Sequence, residues 1–169
     1  MKKVIAIGDL GHVEKMLSNN FVPINIGFMG SYITKQFSND TSVSFFKDPE
    51  KLYNFIEKHR PDVLALSNYV WNLNLTLYMF REYKRICPHG VTIIGGPNFP
   101  YIREEVLDWM IRHPYVDFAV EREGELTCEN IFKRLFENDF NLEHVKEEGL
   151  PIPGCYFLGP YQQLYTEFQ

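Results

Sequence analysis

The segment VTIIGGPNFP, residues 91–100, joins a short apolar run to two glycines and two prolines. Branched side chains dominate the run, and strands favour such side chains. Glycine weakens a strand from within, and proline cannot continue one, so the strand ends near Gly95. The segment therefore predicts a buried strand at residues 91–94, followed by a stiff loop with little side-chain bulk.

Four other apolar runs resemble this one, and amphipathic stretches separate them. Such alternation is typical of an α/β protein whose parallel sheet is covered on both faces. Right-handed crossovers then favour a doubly wound five-stranded parallel sheet, flavodoxin-like (Rossmann-like), in strand order 2-1-3-4-5. The predicted strands are residues 4–7, 43–46, 63–66, 91–94 and 116–120. The predicted helices are residues 24–37, 50–59, 75–86, 104–111 and 126–136.

Two local signals refine this assignment. Asp48 followed by Pro49 is a strong helix start, since an acidic cap precedes a proline in the first turn. In the later helices we expect Ile111 and Leu126 to face inward. Residues 1–148 would form the α/β domain, and residues 149–169 a tail rich in proline, glycine and aromatic residues. Within that tail, residues 156–158 and 164–165 could form a small hairpin.

The composition describes an ordinary globular domain. The chain has 169 residues, of which 45% are hydrophobic and 23% charged, and its net charge is -5. It contains no lysine/arginine cluster of the kind that binds nucleic acid, and no apolar run long enough to span a membrane. We therefore expect a cytoplasmic protein with no nucleic-acid or membrane partner. The three cysteines lie far apart and are expected to be reduced, packed thiols.

Ligands of such sheets bind at the carboxyl ends of the strands, so the loops that follow the strands matter most. The first of these loops, GDLGH at residues 8–12, lacks the third glycine of a dinucleotide site, and no phosphate-binding P-loop occurs in the chain. Gly95 and Gly96 remove two side chains from the sheet edge and could leave a slot for a flat ring. Ser67 could hydrogen-bond an edge of that ring. The aromatic side chains that could cover it are Tyr69, Trp71 and Phe99.

Three motifs then follow three strands in a set order. In sequence order they comprise Ser67, Tyr69, Trp71 and Asn72; Ile94, Gly95, Gly96 and Pro97; and Val116, Asp117, Val120, Gly124 and Glu125. Together they resemble the N-terminal cobalamin-binding domain of cobalamin-dependent radical S-adenosylmethionine enzymes. The resemblance covers nearly the whole chain and implies a cobalamin-binding module of a methyltransferase-type enzyme, with the corrin over the carboxyl edge of the sheet.

The resemblance also implies a role for individual residues, and none of them is catalytic. The nucleotide tail of cobalamin would be lined by Ser67, Gly95 and Gly96. The residues near the corrin would be Tyr69, Val70, Trp71, Asn72, Pro97 and Asn98. The far side would be closed by Glu123, Gly124 and Glu125.

This chain departs from related patterns in two places. Asp9 and His12 are spaced D-x-x-H, whereas cobalamin domains that ligate cobalt through histidine carry D-x-H. The chain also lacks the C-x-x-x-C-x-x-C motif of an iron–sulfur cluster. The 4Fe-4S cluster and S-adenosylmethionine would therefore belong to a C-terminal radical SAM domain of a longer parent chain.

Two other interpretations stay open at this level. The glycine pair could be a tight strand-to-helix turn in a cofactor-free, flavodoxin-like interaction or sensory module. Such a module predicts a closed sheet edge. A nucleotide-dependent enzyme, such as a sugar transferase, is the weakest interpretation, because the chain has no phosphate loop.

Overall fold

Strands and helices alternate along the chain, as the apolar runs predict. The computed structural model describes residues 2–11, 23–121 and 124–167. The strands are β1 (Lys3–Gly8), β2 (Thr41–Phe46), β3 (Val63–Ser67), β4 (Val91–Gly95), β5 (Phe118–Val120), β6 (Cys155–Leu158) and β7 (Leu164–Thr166). The helices are α1 (Ile24–Gln36), α2 (Pro49–His59), α3 (Leu73–Ile86), α4 (Arg103–Arg112), α5 (Gly124–Glu137) and α6 (Leu142–Glu148), with a 3₁₀ turn at Pro160–Gln162.

The described strands form one sheet in the order β2-β1-β3-β4-β5-β6-β7. Its first five strands are parallel and follow the predicted order 2-1-3-4-5, which is confirmed. Five strands is nevertheless too few, because β6 and β7 extend the sheet in antiparallel orientation. The tail thus forms the expected hairpin and covers the outer edge of β5, which would otherwise expose unpaired backbone groups.

Each face of the sheet carries its own apolar core. In β3 every residue is buried. Leu64 and Leu66 face the core formed with α2, α3 and α4, whereas Val63 and Ala65 face the core formed with α1, α5 and α6. This alternation follows from the two-residue period of a strand. Among the helices of the described ranges, none is long and apolar enough to cross a membrane.

The helix cap predicted from the sequence is present in the structure, whereas two of the predicted inward-facing helix residues are not buried. The Asp48 side chain accepts hydrogen bonds from the amides of Glu50 and Lys51, as predicted for the start of α2. The inward orientation expected for Ile111 and Leu126 is wrong, since they are 38% and 53% exposed. Leu126 lies off the buried stripe of α5. That stripe consists of Cys128, Ile131, Phe132 and Leu135, which recur at helical spacing.

A buried ion cluster lies at the amino edge of the sheet, opposite the strand ends that carry ligand sites. Asp117 is 2% exposed and accepts hydrogen bonds from Lys84 Nζ at 2.5 Å and Lys146 Nζ at 2.8 Å. It also accepts one from the Thr92 amide at 2.9 Å. Burial pushes the pKa of Asp117 upward, but the two lysines outweigh it and hold this pKa below its usual value. Asp117, a member of the third motif, therefore has a structural role.

Candidate functional site

A cleft of about 420 Å³ opens at the carboxyl edge of the sheet. One wall consists of the ends of β3, β4 and β5, and the other consists of the first turns of α1 and α5. A cleft of this volume is in the range that small-molecule ligands occupy. Its lining comprises Asn25, Ile26, Met29, Ala65, Leu66, Ser67, Tyr69, Ile93, Gly95, Gly96, Pro97, Phe99, Pro100, Tyr101, Val120, Glu121, Gly124, Glu125 and Cys128.

The two adjacent glycines serve this cleft in different ways. A Cβ added to Gly95 would meet only Val120, at 3.5 Å, which is ordinary contact. A Cβ added to Gly96 would lie 2.5 Å from the carbonyl oxygen of Asn68, and the φ angle of Gly96 is +134°. Gly95 therefore leaves open space in the cleft wall, whereas Gly96 permits the close approach of two backbone segments. The sequence interpretation, in which both glycines clear a slot, holds for Gly95 only.

Ser67 and Asn72 join the loops that follow β1 and β3. The Ser67 hydroxyl donates to Asp9 Oδ1 at 2.5 Å and accepts from Asn72 Nδ2 at 3.2 Å. Asn72 is fully buried; it donates to the Leu10 carbonyl at 3.2 Å and accepts from the Tyr69 amide at 2.8 Å. Because these bonds occupy its side-chain amide, Asn72 acts as a brace behind the cleft.

Tyr69 bridges the two walls of the cleft at its mouth. Its hydroxyl accepts a hydrogen bond from Asn25 Nδ2, on α1, at 3.0 Å. Its ring stacks on Trp71, with centroids 4.6 Å apart and planes 5° apart. Partial burial, with a smaller contribution from the Asp9 carboxylate, raises the pKa of the Tyr69 hydroxyl. Tyr69 therefore stays protonated near pH 7 and lines the cleft as a neutral aromatic side chain.

The inner end of the cleft is apolar. It is lined by the side chains of Ile26, Met29, Ala65, Ile93, Val120 and Cys128. The Cys128 thiol donates to the sulfur of Met29 at 3.4 Å. Burial, with a smaller contribution from Glu125, raises the pKa of Cys128 to about 12, so it is a thiol and not a thiolate at neutral pH.

The charge of the described lining is acidic. Two carboxylates, those of Glu121 and Glu125, line the cleft, and none of its described lining residues is a lysine, arginine or histidine. The described lining therefore offers hydrogen-bond acceptors and apolar surface rather than basic side chains that would bind a phosphate group. Among the described residues, no group of three or more histidine, cysteine, aspartate or glutamate side chains could hold a metal ion.

The family model of the B12 binding domain matches residues 32–132, more than half of the chain. This chain belongs to the B12-binding domain family. The matched range contains β2 to β5 and all twelve predicted cofactor-binding residues. The resemblance to cobalamin-binding domains is thereby confirmed.

Two sequence relatives of this B12-binding domain are methyltransferases. The 2-(S-pantetheinyl)-carbapenam-3-carboxylate methyltransferase of Streptantibioticus cattleyicolor is 34% identical over 110 residues, 62% of this chain and 16% of that protein. The cobalamin-dependent radical SAM methyltransferase TokK of Streptomyces tokunonensis is 30% identical over 111 residues, 63% of this chain and 16% of that protein. The chain thus matches about a sixth of the length of each relative.

One solved structure shares the fold of this B12-binding domain over almost all of its length. It is OxsB, a cobalamin-dependent S-adenosylmethionine radical enzyme, with aqua-cobalamin and S-adenosylmethionine bound. The TM-score is 0.70 at 15% identity, covering 99% of this chain and 22% of OxsB. At this identity the likeness establishes the common fold alone.

The structure gathers most of the predicted residues of the B12-binding domain around the cleft. Those that line it are Ser67, Tyr69, Gly95, Gly96, Pro97, Gly124 and Glu125. Four do not line it: Val70 and Trp71 are exposed beside the mouth, Asn72 is buried, and Asn98 hydrogen-bonds Asn68. Glu123, like His12, lies outside the described residues. Contact with the cofactor stays a prediction for all twelve.

Sequence reasoning missed the contribution of α1 and α5 to the inner end of the cleft. Met29 and Cys128 are 99 positions apart, so no local motif links them. The signal that each helix offers separately is its apolar side, since Ile26 and Met29 of α1 face the same core as Cys128 of α5. Helix periodicity can assign Ile26 and Met29 to one buried side of α1, but it cannot show that this side ends at a cleft.

Proposed function

We propose that this B12-binding domain holds cobalamin at the carboxyl edge of its sheet, as part of a methyltransferase-type radical S-adenosylmethionine enzyme. The cleft between the strand ends and helices α1 and α5 carries this proposal. A cofactor-free module would close this edge, and the structure has an open cleft there. Bound cobalamin would supply a cobalt centre able to carry a methyl group.

Size decides which part of the cofactor suits the cleft. Cobalamin as a whole is several times larger than a cleft of about 420 Å³. A flat base with its ribose is small enough, so the nucleotide tail would enter while the corrin stays over the mouth. The bare wall at Gly95, where an added Cβ meets nothing closer than 3.5 Å, suits the face of such a base.

The rim of the cleft suits the corrin by its chemistry. The corrin carries neutral amide side chains, whose N–H groups need acceptors. Glu121 and Glu125 supply carboxylate oxygens there, and charge-assisted hydrogen bonds of this kind are the stronger ones. The stacked rings of Tyr69 and Trp71 add apolar surface beside the mouth. This chain's residues would therefore bind and orient the cofactor.

The remaining machinery would lie elsewhere in a longer protein. Both methyltransferase relatives are about six times as long as the segment that they share with this chain. We propose that a C-terminal radical SAM domain supplies the 4Fe-4S cluster and binds S-adenosylmethionine. All three cysteines of the chain are free and buried, which suits a reducing compartment, and we place the protein in the cytoplasm.

Retention of the cofactor tests the proposal. The purified chain is mixed with hydroxocobalamin or with cobinamide, which lacks the nucleotide, and free corrinoid is removed before the visible spectrum is recorded. Hydroxocobalamin should be retained and cobinamide should be lost more readily. Absence of retained corrin absorption from a folded chain would contradict the proposal.

A pair of glycine variants tests the location. Gly95→Val adds an isopropyl group to the cleft wall and should lower retention of hydroxocobalamin. Gly27→Val is the matched control, because Gly27 does not line the cleft and has no atom within 4 Å of an added Cβ. Equal retention by Gly95→Val and Gly27→Val would show that the nucleotide lies elsewhere.

A further inference from the structure

The inner end of the cleft offers a buried ligand very few hydrogen-bonding groups. Of its six described side chains, only that of Cys128 carries a polar hydrogen, and that thiol already donates to Met29. The neighbouring backbone of β3 and β4 is paired within the sheet. Five of the six residues, Ile26, Ala65, Ile93, Val120 and Cys128, are at most 4% exposed.

We propose that this inner end selects among cobamides by the base of their nucleotide, favouring an apolar benzimidazole over a purine. This inference rests on the proposed function, since it concerns the part of cobalamin that enters the cleft. It assigns Met29 and Cys128 as the residues that set the preference, because their two sulfur atoms close the apolar end between α1 and α5.

The chemistry of the two bases decides the direction of the preference. In 5,6-dimethylbenzimidazole the six-membered ring carries only carbon, including two methyl groups. In adenine the same ring carries two nitrogens and an exocyclic amine. Buried among apolar side chains, those polar groups would lose their water without gaining partners, whereas the two methyl groups would gain apolar contact. A loss of about tenfold in affinity corresponds to one such unpaired group.

Glu125 is a polar group that lines the cleft close to Cys128, and its position limits what it can do. It lies one helical turn before Cys128 on α5, towards the mouth of the cleft. A purine that stayed near the mouth could reach this carboxylate, but it would leave the apolar end unfilled. The preference therefore comes from the inner end.

Equilibrium dialysis of the full chain against hydroxocobalamin and against the corresponding adeninyl cobamide tests the inference. We expect the adeninyl cobamide to bind about tenfold more weakly. A ratio below about threefold would overturn the inference while leaving the proposed function intact, since both cobamides would still bind. Binding of neither cobamide by folded protein would overturn the proposed function and this inference with it.

Two substitutions of Met29 test the assignment. Met29→Gln keeps the length of the side chain and adds a hydrogen-bond donor and acceptor at the inner end, so the preference should fall to about threefold or less. Met29→Leu keeps the end apolar, so the preference should persist whatever happens to the affinity itself. An unchanged ratio in Met29→Gln, or a lost ratio in Met29→Leu, would overturn the role of Met29.

Discussion

Replacing Gly96 with alanine places a methyl group where the backbone leaves no room for it. The added Cβ would lie 2.5 Å from the carbonyl oxygen and 2.9 Å from the nitrogen of Asn68. Both are backbone atoms, so no flexible side chain can move aside. The backbone of Gly96, at a φ of +134°, is also one that residues with a Cβ rarely adopt.

The size of the effect follows from these two features. A residue held in such a backbone conformation costs about 1–3 kcal/mol. Relieving the overlap moves Asn68, whose amide donates to the Gly95 carbonyl at 2.7 Å and whose carbonyl accepts from the Asn98 amide at 3.3 Å. Loosening these two hydrogen bonds costs about 1 kcal/mol each. We therefore expect Gly96→Ala to lower the free energy of unfolding by about 3 kcal/mol or more.

Gly95→Ala is the matched control, since it makes the same substitution one residue earlier. Its added Cβ meets only Val120 at 3.5 Å, so the change in stability should stay within about 1 kcal/mol. Urea unfolding followed by far-ultraviolet circular dichroism measures both variants, and a loss of about 3 kcal/mol lowers the midpoint by roughly 1–3 M. If Gly96→Ala is no less stable than Gly95→Ala, the explanation of the glycine pair is wrong.

Three further outcomes are expected from the buried polar groups. Asp117→Asn should lower the free energy of unfolding by about 3–5 kcal/mol, because it leaves two lysines beside a neutral side chain. The control Asp108→Asn, which removes one charge of an exposed ion pair, should lower it by less than about 1 kcal/mol. Equal losses in the two variants would contradict this account. The pKa of Asp117 is lowered on folding, so the stability that its charge contributes is complete above the pKa of the unfolded chain and is lost as pH falls through the folded value. The difference in unfolding free energy between wild type and Asp117→Asn should therefore shrink below about pH 4. A difference that stays constant in acid titrations would refute this. Asn72→Ala leaves the Leu10 carbonyl and the Tyr69 amide without their partner, so it should destabilise the domain by about 2 kcal/mol. It should also speed hydrogen exchange, measured by mass spectrometry, in the loops that follow β1 and β3. Unchanged exchange would argue against the role of Asn72 as a brace.

Much of the fold could be predicted because its signals are local. Each apolar run is short, rich in branched side chains and bounded by glycine, proline or aspartate, so each of strands β1 to β5 could be predicted from its own segment. The rule of right-handed crossovers then left few possible strand orders. The cap at Asp48 is also a local feature, since its side chain accepts from backbone amides two and three residues later. The extent of the sheet was less predictable, because pairing of β6 with β5 joins segments about 35 positions apart.

The sequence by itself determined the parallel sheet, its order and the loops at its carboxyl edge, because burial and strand alternation are properties of neighbouring residues. Only the tertiary structure decided what those loops do. Gly95 and Gly96 are the same amino acid in the sequence, yet Gly95 leaves room in a cleft and Gly96 allows the backbone of Asn68 to come close. The apolar end of the cleft likewise exists only because folding brings Met29 beside Cys128. Contacts of this kind depend on distances between remote segments, and no local pattern encodes those distances.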